Sequence, residues 1–309
     1  MSVLAACGLG LVLAGCGTPA AGPADRAAQA AAPSPVVSPA SPAASGPAGA
    51  AGAADVSEAP ARGGAGATRR VPPTLAPGPG GLTPVFERRA PLSGGAAAEK
   101  TVALTFDADM TADQGPRAAG GERFDNPALI ETLRRLDVDA TVFMTGRWAE
   151  EYPDQARSIG ADPRFEVANH SYSHHAFRTP CYGLPTLGRA DMAADVERAF
   201  AAFRTAGVRN VVPYFRFPGG CYDDDALRAL APAKVTAVQW DVVGGDAFAK
   251  DADAVARQVL EGVRPGSVVV LHCTLSAAPV TERAIARVVP ELRARGYRFV
   301  KVSELMAAG

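Results

Sequence analysis

Beyond about residue 100 the apolar positions switch between short continuous runs and one-sided stripes, the two patterns of buried strands and amphipathic helices. Val102-Ala103-Leu104-Thr105-Phe106 is a β-type run. Asn126-Pro127 then supplies a helix cap and a proline in the first turn, and Leu129, Ile130, Leu133 and Leu136 recur on one helical face. The pattern predicts a strand over 140–144, a short helix over 151–159, a strand over 165–168 and a long helix over 191–206. The stripe of that long helix is Met192, Val196, Phe200 and Phe203, and Gly207 stands where its C-cap belongs. Further strands are expected over 214–216, 237–241, 267–272 and 298–300, with helices over 224–230, 252–263 and 281–295, the last kinked at Pro290. About seven β-α units favour a parallel barrel or a doubly wound sheet, and either fold collects its site at the carboxyl ends of the strands.

The first hundred residues read differently. Ala, Pro, Gly and Ser dominate and no aromatic residue precedes Phe86, so this stretch lacks the apolar surface to offset its chain entropy. Residues 17–98 are therefore expected to be a disordered tether, with 84–88 as the part able to pack back on the domain. Ahead of it, Val3 to Leu13 is an apolar run too short to span a bilayer, ending in Leu13-Ala14-Gly15-Cys16, which resembles a bacterial lipobox. No Lys or Arg precedes Arg26, where an export signal normally carries a basic start. The expected organisation is a lipoprotein signal over 1–16 with Cys16 lipidated, the tether, and a catalytic domain over 99–309. The chain would then lie outside the cytoplasmic membrane, held by its lipid, with secretion as the alternative. A formal net charge of -1 offers no basic surface for nucleic acid, and a monomer is expected.

The candidate chemistry sits where the predicted strands end. Three of the four histidines lie in His170-Ser171-Tyr172-Ser173-His174-His175, and His170 and His174 are spaced so that one helical turn would aim both rings at one point. Asp107 and Asp109 follow the first strand, Arg216 the fourth, Asp241 and Asp246 the fifth, and His272 ends the sixth. Any one of them could merely cap a helix or end a strand. Together they supply two imidazoles and a carboxylate for a metal, a second carboxylate as base and a histidine as acid, the inventory of metal-assisted hydrolysis.

Thr105-Phe106-Asp107-Ala108-Asp109, His170-Ser171-Tyr172-Ser173-His174, Arg216-Phe217-Pro218-Gly219, Trp240-Asp241 and Leu271-His272 resemble, in order, the five motifs of the polysaccharide deacetylases, the NodB-homology family of carbohydrate esterases. The resemblance covers about residues 100–306. It implies a distorted (β/α)7–8 barrel of the α/β class and removal of acetyl groups from N-acetylated sugars. The implied cofactor is a divalent metal, usually zinc, with cobalt, nickel or manganese as alternatives. Carried over, Asp107 is the base, His170 and His174 bind metal, Arg216 orients the base and His272 is the acid. A backbone N–H near Gly219 would meet the oxyanion, and Tyr172 and Trp240 are assigned to the substrate wall.

Three positions depart from the family pattern. Ala108 separates two aspartates that are usually adjacent, so Asp109 is assigned as metal ligand through a one-residue bulge. Gly219-Gly220 replaces a common aromatic and should leave that wall of the groove open. Val243 stands where an acid is usual, so the partner of His272 is Asp241, Asp246 or neither. Cys181 and Cys221 follow the histidine and arginine motifs and are candidates for a disulfide, while Cys273 should point away from the site. The expected activity is N-deacetylation of a wall or extracellular glycan. An O-acetyl esterase using the same site, or a glycan-binding lipoprotein without turnover, is the alternative.

Overall fold

The computed structural model describes residues 72–90 and 99–308; the expected signal, Cys16 and most of the expected tether lie outside them. Of the expected tether, residues 72–90 belong to the folded unit. After a 3-10 turn at Pro79–Gly81 they form strand β1 (Val85–Phe86), so packed structure begins ahead of residue 99. The strand is held because Ala237 and Gln239 donate their N–H groups to the carbonyls of Pro84 and Phe86, both at 2.8–2.9 Å.

The centre of the sheet is β2 (Thr101–Ala108), whose eight residues are all buried. There follow α1 (Gly115–Ala119), α2 (Pro127–Arg135), β3 (Ala140–Met144), α3 (Gly146–Glu151), α4 (Pro153–Ala161), β4 (Phe165–Asn169), α5 (Met192–Thr205) and β5 (Val211–Phe215). The chain continues through α6 (Asp224–Leu230), β6 (Thr236–Val238), β7 (Val242–Val243), α7 (Ala252–Gly262), β8 (Ser267–His272), α8 (Thr281–Ala294), β9 (Arg298–Phe299) and α9 (Val302–Ala307). The strands make one parallel sheet in the order β1-β6-β5-β4-β3-β2-β8-β7, with β9 also on β2, curled into an incomplete barrel. Helix starts follow the caps in the sequence: the side chains of Asn126, Thr145, Asp223 and Asp251 each accept an N–H from the first turn of the helix they precede. The expected helix over 151–159 is α4, shifted by two residues, with the unexpected α3 ending just before it at Tyr152, and α8 runs on as one helix through Pro290.

Strand alternation explains where the chemistry goes. Val102, Leu104, Phe106 and Ala108 of β2 join Val142, Val167, Val269 and Leu271 in the cluster that packs under the helices. The residues between them face the lumen, where Ala103, Phe143, Ala168, Tyr214, Val238 and Val268 form a second cluster with Val302 and Leu305 of α9. Side chains repeat every second residue, so Asp107, Arg216 and His272 share the face of Ala103, Tyr214 and Val268. The apolar lumen is thus floored by α9 and capped by charged groups at the carboxyl ends.

Candidate active site

Arg216 is fully buried, and its guanidinium reaches three acceptors. Nη1 donates to Asp107 Oδ1 at 2.7 Å, Nε to the Val238 carbonyl at 3.1 Å and Nη2 to the Gln239 carbonyl at 3.4 Å. Its carbon lies 3.9 Å from the centre of the Phe143 ring, so the planar group is held by stacking as well as by hydrogen bonds. Burial alone would raise the Asp107 carboxyl. Arg216, with His170 and His272 beside it, outweighs that and keeps the group below the ordinary carboxylate value. Asp107 is therefore an anion at neutral pH, with Oδ2 turned 3.7 Å from His170 Nε2.

The histidine motif is a turn rather than helical, because Ser171 and His174 both adopt left-handed backbones, φ 69° and 57°. The turn is set by Asp195 of α5, whose Oδ2 accepts the N–H groups of Tyr172 at 2.7 Å and Ser173 at 3.3 Å, and by Asn169 Oδ1, which accepts Ser171 N–H at 2.8 Å. The two imidazoles come to 5.0 Å between ring centres. His170 Nδ1 lies 2.9 Å from the Arg216 carbonyl, which can only accept, so Nδ1 carries the proton and Nε2 presents its lone pair. His174 Nε2 is 3.8 Å from Asp109 Oδ2. Burial outweighs the pull of Asp109 and pushes His174 down to about 4, so its ring is neutral at physiological pH, as a ligand must be.

Asp109 lies just past the end of β2. The pairing of β2 with β3 keeps an unbroken register through Ala108, the residue before it. A register shift occurs where β4 pairs with β5: Val167 to Asn169 stand against Val211 to Phe215, so the extra residues are in β5. Thr274 Oγ1 donates to Asp109 Oδ1 at 2.6 Å and accepts its N–H at 3.1 Å, leaving Oδ2 toward His174.

Among the described residues no three His, Cys, Asp or Glu side chains meet as one ready metal cluster. The donors nevertheless suit a divalent cation. Two ligands on a tetrahedral zinc at about 2.0–2.1 Å stand roughly 3.4 Å apart. The gap between His174 and Asp109, 3.8 Å, is within a few tenths of that. His170, His174 and Asp109 are the residues that could hold the ion.

His272 lies directly across the strand boundary from Asp107, its register partner in β8. Asp246, 1% exposed, grips it twice, with Oδ1 2.9 Å from Nδ1 and Oδ2 accepting the backbone N–H at 2.8 Å. Thr281 Oγ1 donates to the same Oδ2 at 2.6 Å. Burial would lower the imidazole, but the Asp246 hydrogen bond and charge, helped by Asp109 and Asp107, raise it to about 10. His272 is a cation at neutral pH. Cys273, on the opposite face, is buried among the helix-side apolar residues, where burial raises its thiol to about 12.

Asp241 does not reach this centre. Its carboxylate accepts Val268 N–H at 2.8 Å and Ser267 Oγ at 2.9 Å, and Arg88 stands 3.5 Å away. Those partners begin β8, and five residues of strand, roughly 16 Å, separate Ser267 from His272. Asp241 clamps the seam of the barrel, and Asp246 is the partner of His272. Tyr172 is likewise no wall residue: it is buried, packs on Gly146, donates to Glu150 at 2.8 Å and lies under Arg198. Trp240 is half-buried, 5.4 Å from Arg216, and packs over Gly220. The wall expected to be open is occupied. A side-chain carbon on Gly220 would fall 2.5 Å from Trp240, and one on Gly219 2.7 Å from Cys181 Sγ and 3.2 Å from the Tyr182 ring. Cys181 and Cys221 are joined in a disulfide that closes over Gly219.

Sequence reasoning missed Asp195, Thr274, Tyr182 and Phe248. Asp195 carried a signal, since an acid three residues after Met192 interrupts an apolar helix face; the loop residues carried none. A groove of about 250 Å³ opens from Asp109 and His174, walled by Thr111, Gln114, Leu184 and Phe248.

The sequence matches the polysaccharide deacetylase family over residues 94–238. It is 32% identical over 222 residues to the chitooligosaccharide deacetylase of Sinorhizobium fredii (strain NBRC 101917 / NGR234), covering 69% of this chain and 94% of that protein. To a peptidoglycan-N-acetylglucosamine deacetylase of Bacillus cereus it is 26% identical over 212 residues, covering 67% and 89%. Among solved structures, a CE4 family pseudoenzyme from Bacillus anthracis superposes with a TM-score of 0.57 at 25% identity, covering 75% of this chain and 70% of that one. A likeness that spans nearly the whole rhizobial enzyme goes beyond a shared barrel, and the chain belongs to the polysaccharide deacetylase family of hydrolases.

Proposed function

We propose that the protein is a zinc-dependent hydrolase that removes acetyl groups from N-acetylated sugars of a cell-wall glycan, with peptidoglycan and N-acetylglucosamine oligomers as substrates. The observation that carries this reading is the cross-strand pair at the carboxyl end of the sheet: an anionic Asp107 beside a cationic His272, each fixed by a buried partner. A binding module needs neither.

His170, His174 and Asp109 would hold the metal, which supplies Lewis-acid polarisation of the acetyl carbonyl. Asp107 takes a proton from the attacking water, whose oxygen bonds to the acetyl carbon. Arg216 holds the carboxylate in place and favours its ionised form, and a backbone N–H near Gly219 faces the developing oxyanion. His272 then gives its Nε2 proton to the departing nitrogen as the carbon-nitrogen bond breaks, so that acetate and a free amine leave. Asp246 compensates the positive charge of His272 before the transfer and fixes the proton on Nδ1 after it.

The likeness to a pseudoenzyme and the replacement of the usual second aspartate by Ala108 favour a second reading, a glycan-binding protein on the same barrel. On either reading the chain is placed outside the cytoplasmic membrane by a lipid on Cys16. The test is acetate release from N-acetylglucosamine oligomers and purified peptidoglycan by the zinc-loaded full chain, with Asp107→Asn as control. Release that vanishes in the control is expected; stoichiometric zinc with no acetate from either substrate would favour the binding reading or an O-acetyl ester substrate.

A further inference from the structure

Phe248 is out of place by two independent measures. It is 82% exposed, a large apolar ring in water. Its backbone is left-handed, φ 60°, a conformation that is a real outlier for a bulky side chain. Nothing in its packing calls for a phenylalanine, and glycine would suit the backbone better. Strain of this kind persists where the surroundings impose it, and it collects at binding sites.

The surroundings do impose it. Two residues earlier, Asp246 is fixed by His272 and Thr281. Ala249 N–H donates to the Asp246 carbonyl at 3.0 Å, and Phe248 N–H donates to the Ala277 carbonyl at 2.7 Å. The ring is thus carried on a short turn braced against the acid of the site. It is also on the rim of the groove that opens from Asp109 and His174. That groove, about 250 Å³, is smaller than the roughly 300–1,000 Å³ of pockets that enclose drug-sized ligands. It has room for one sugar ring; a longer glycan must continue across the rim.

We propose that Phe248 is a stacking platform for the sugar next to the one being deacetylated, and so sets a preference for oligomers over short substrates. This rests on the glycan reading above. The flat ring would cover the apolar face of a pyranose whose hydroxyls stay in water, the usual way an exposed aromatic contributes to an interface.

The test uses the full chain, wild type and with Phe248→Gly and Phe248→Trp. Calorimetric titration with N-acetylglucosamine and its β-1,4-linked tetramer is run without added metal, so that substrate is not consumed. We expect Phe248→Gly to weaken tetramer binding about tenfold and monomer binding less than twofold, and Phe248→Trp to bind the tetramer as wild type does. We also expect the melting temperature of Phe248→Gly to equal or exceed that of wild type, because the strained backbone is relieved. Tetramer affinity unchanged in Phe248→Gly, or lost equally for tetramer and monomer, would overturn the proposal, as would a melting temperature that falls along with the affinity. Failure of the underlying deacetylase reading shows separately, as no acetate from zinc-loaded wild type whatever the binding data.

Discussion

Replacing Asp246 by Asn tests the acid of the site with little change of shape. In the wild type Asp246 faces His272 Nδ1 at 2.9 Å and accepts the His272 N–H at 2.8 Å and the Thr281 hydroxyl at 2.6 Å. An amide oxygen can keep the last two bonds, while the amide NH2 must then face Nδ1 and donate to it. The charge and the hydrogen bond that raise His272 to about 10 are both removed, and the burial that opposes them remains. The ring should then titrate at or below its ordinary 6.5. At pH 7 the protonated fraction falls from essentially all to roughly a quarter or less. The assay is an NMR pH titration of the His272 ring nitrogens in the metal-free full chain, followed by the pH dependence of acetate release. Linkage gives a second readout. The folded value lies above the unfolded one, so His272 contributes stability fully present below about pH 6.5 and lost as pH rises through about 10. Wild type should lose stability across that window relative to the Asn variant. A wild-type ring that titrates near 6.5, or a value that does not move in Asp246→Asn, would refute the reasoning.

Arg216→Met should cost about 3–5 kcal/mol in urea unfolding at neutral pH, because it leaves the Asp107 carboxylate buried without its partner; Arg216→Met combined with Asp107→Leu should recover much of that loss. Cys181→Ser with Cys221→Ser opens a loop with a sequence separation of 40 and should lower stability by about 4 kcal/mol, read as the denaturation midpoint against oxidised wild type. Glu166 is buried, accepts Thr141 Oγ1 at 2.8 Å and Ser303 N–H at 3.1 Å, and is held above its ordinary value chiefly by burial. Its contribution is present below the unfolded value of 4.5 and lost as pH rises through the folded one, so Glu166→Gln should gain stability relative to wild type at neutral pH and not at about pH 4.

The alternation of strand and helix was legible because each apolar run or stripe answers to one buried face, as in β2 and α5. The ends of the strands named most of the polar groups that the structure gathers at the carboxyl end of the sheet, since those positions hold polar residues that a continuing core strand would not. Asp109 was assigned through a bulge after the strand; the structure turns its carboxylate toward His174 from the residue just past β2, with Thr274 holding its other oxygen. Asp241 and Asp246 could not be separated by sequence, for only the pairing of β7 with β8 fixes which one comes level with His272. Tyr172 was misread because a tyrosine inside a ligand motif can serve the turn that carries the ligands. Tyr182 and Phe248 depend on loop backbones of positive φ, which leave no pattern in a single sequence.

The early strand β1 has a consequence for where this protein can be cut. It covers the edge of β6, and just after it Arg88 pairs with Ser267 and Arg89 donates to the Gly266 carbonyl at 3.0 Å, so residues 85–89 bridge the two sides of the seam. A fragment starting at the first motif would retain every reacting residue yet bare the amide row of β6, a template for adding strands from other molecules. The same edge carries the Gln239 carbonyl that steadies Arg216. Trimming to the motifs would therefore yield a protein that self-associates and whose base is less well aimed, a failure easily mistaken for lack of activity.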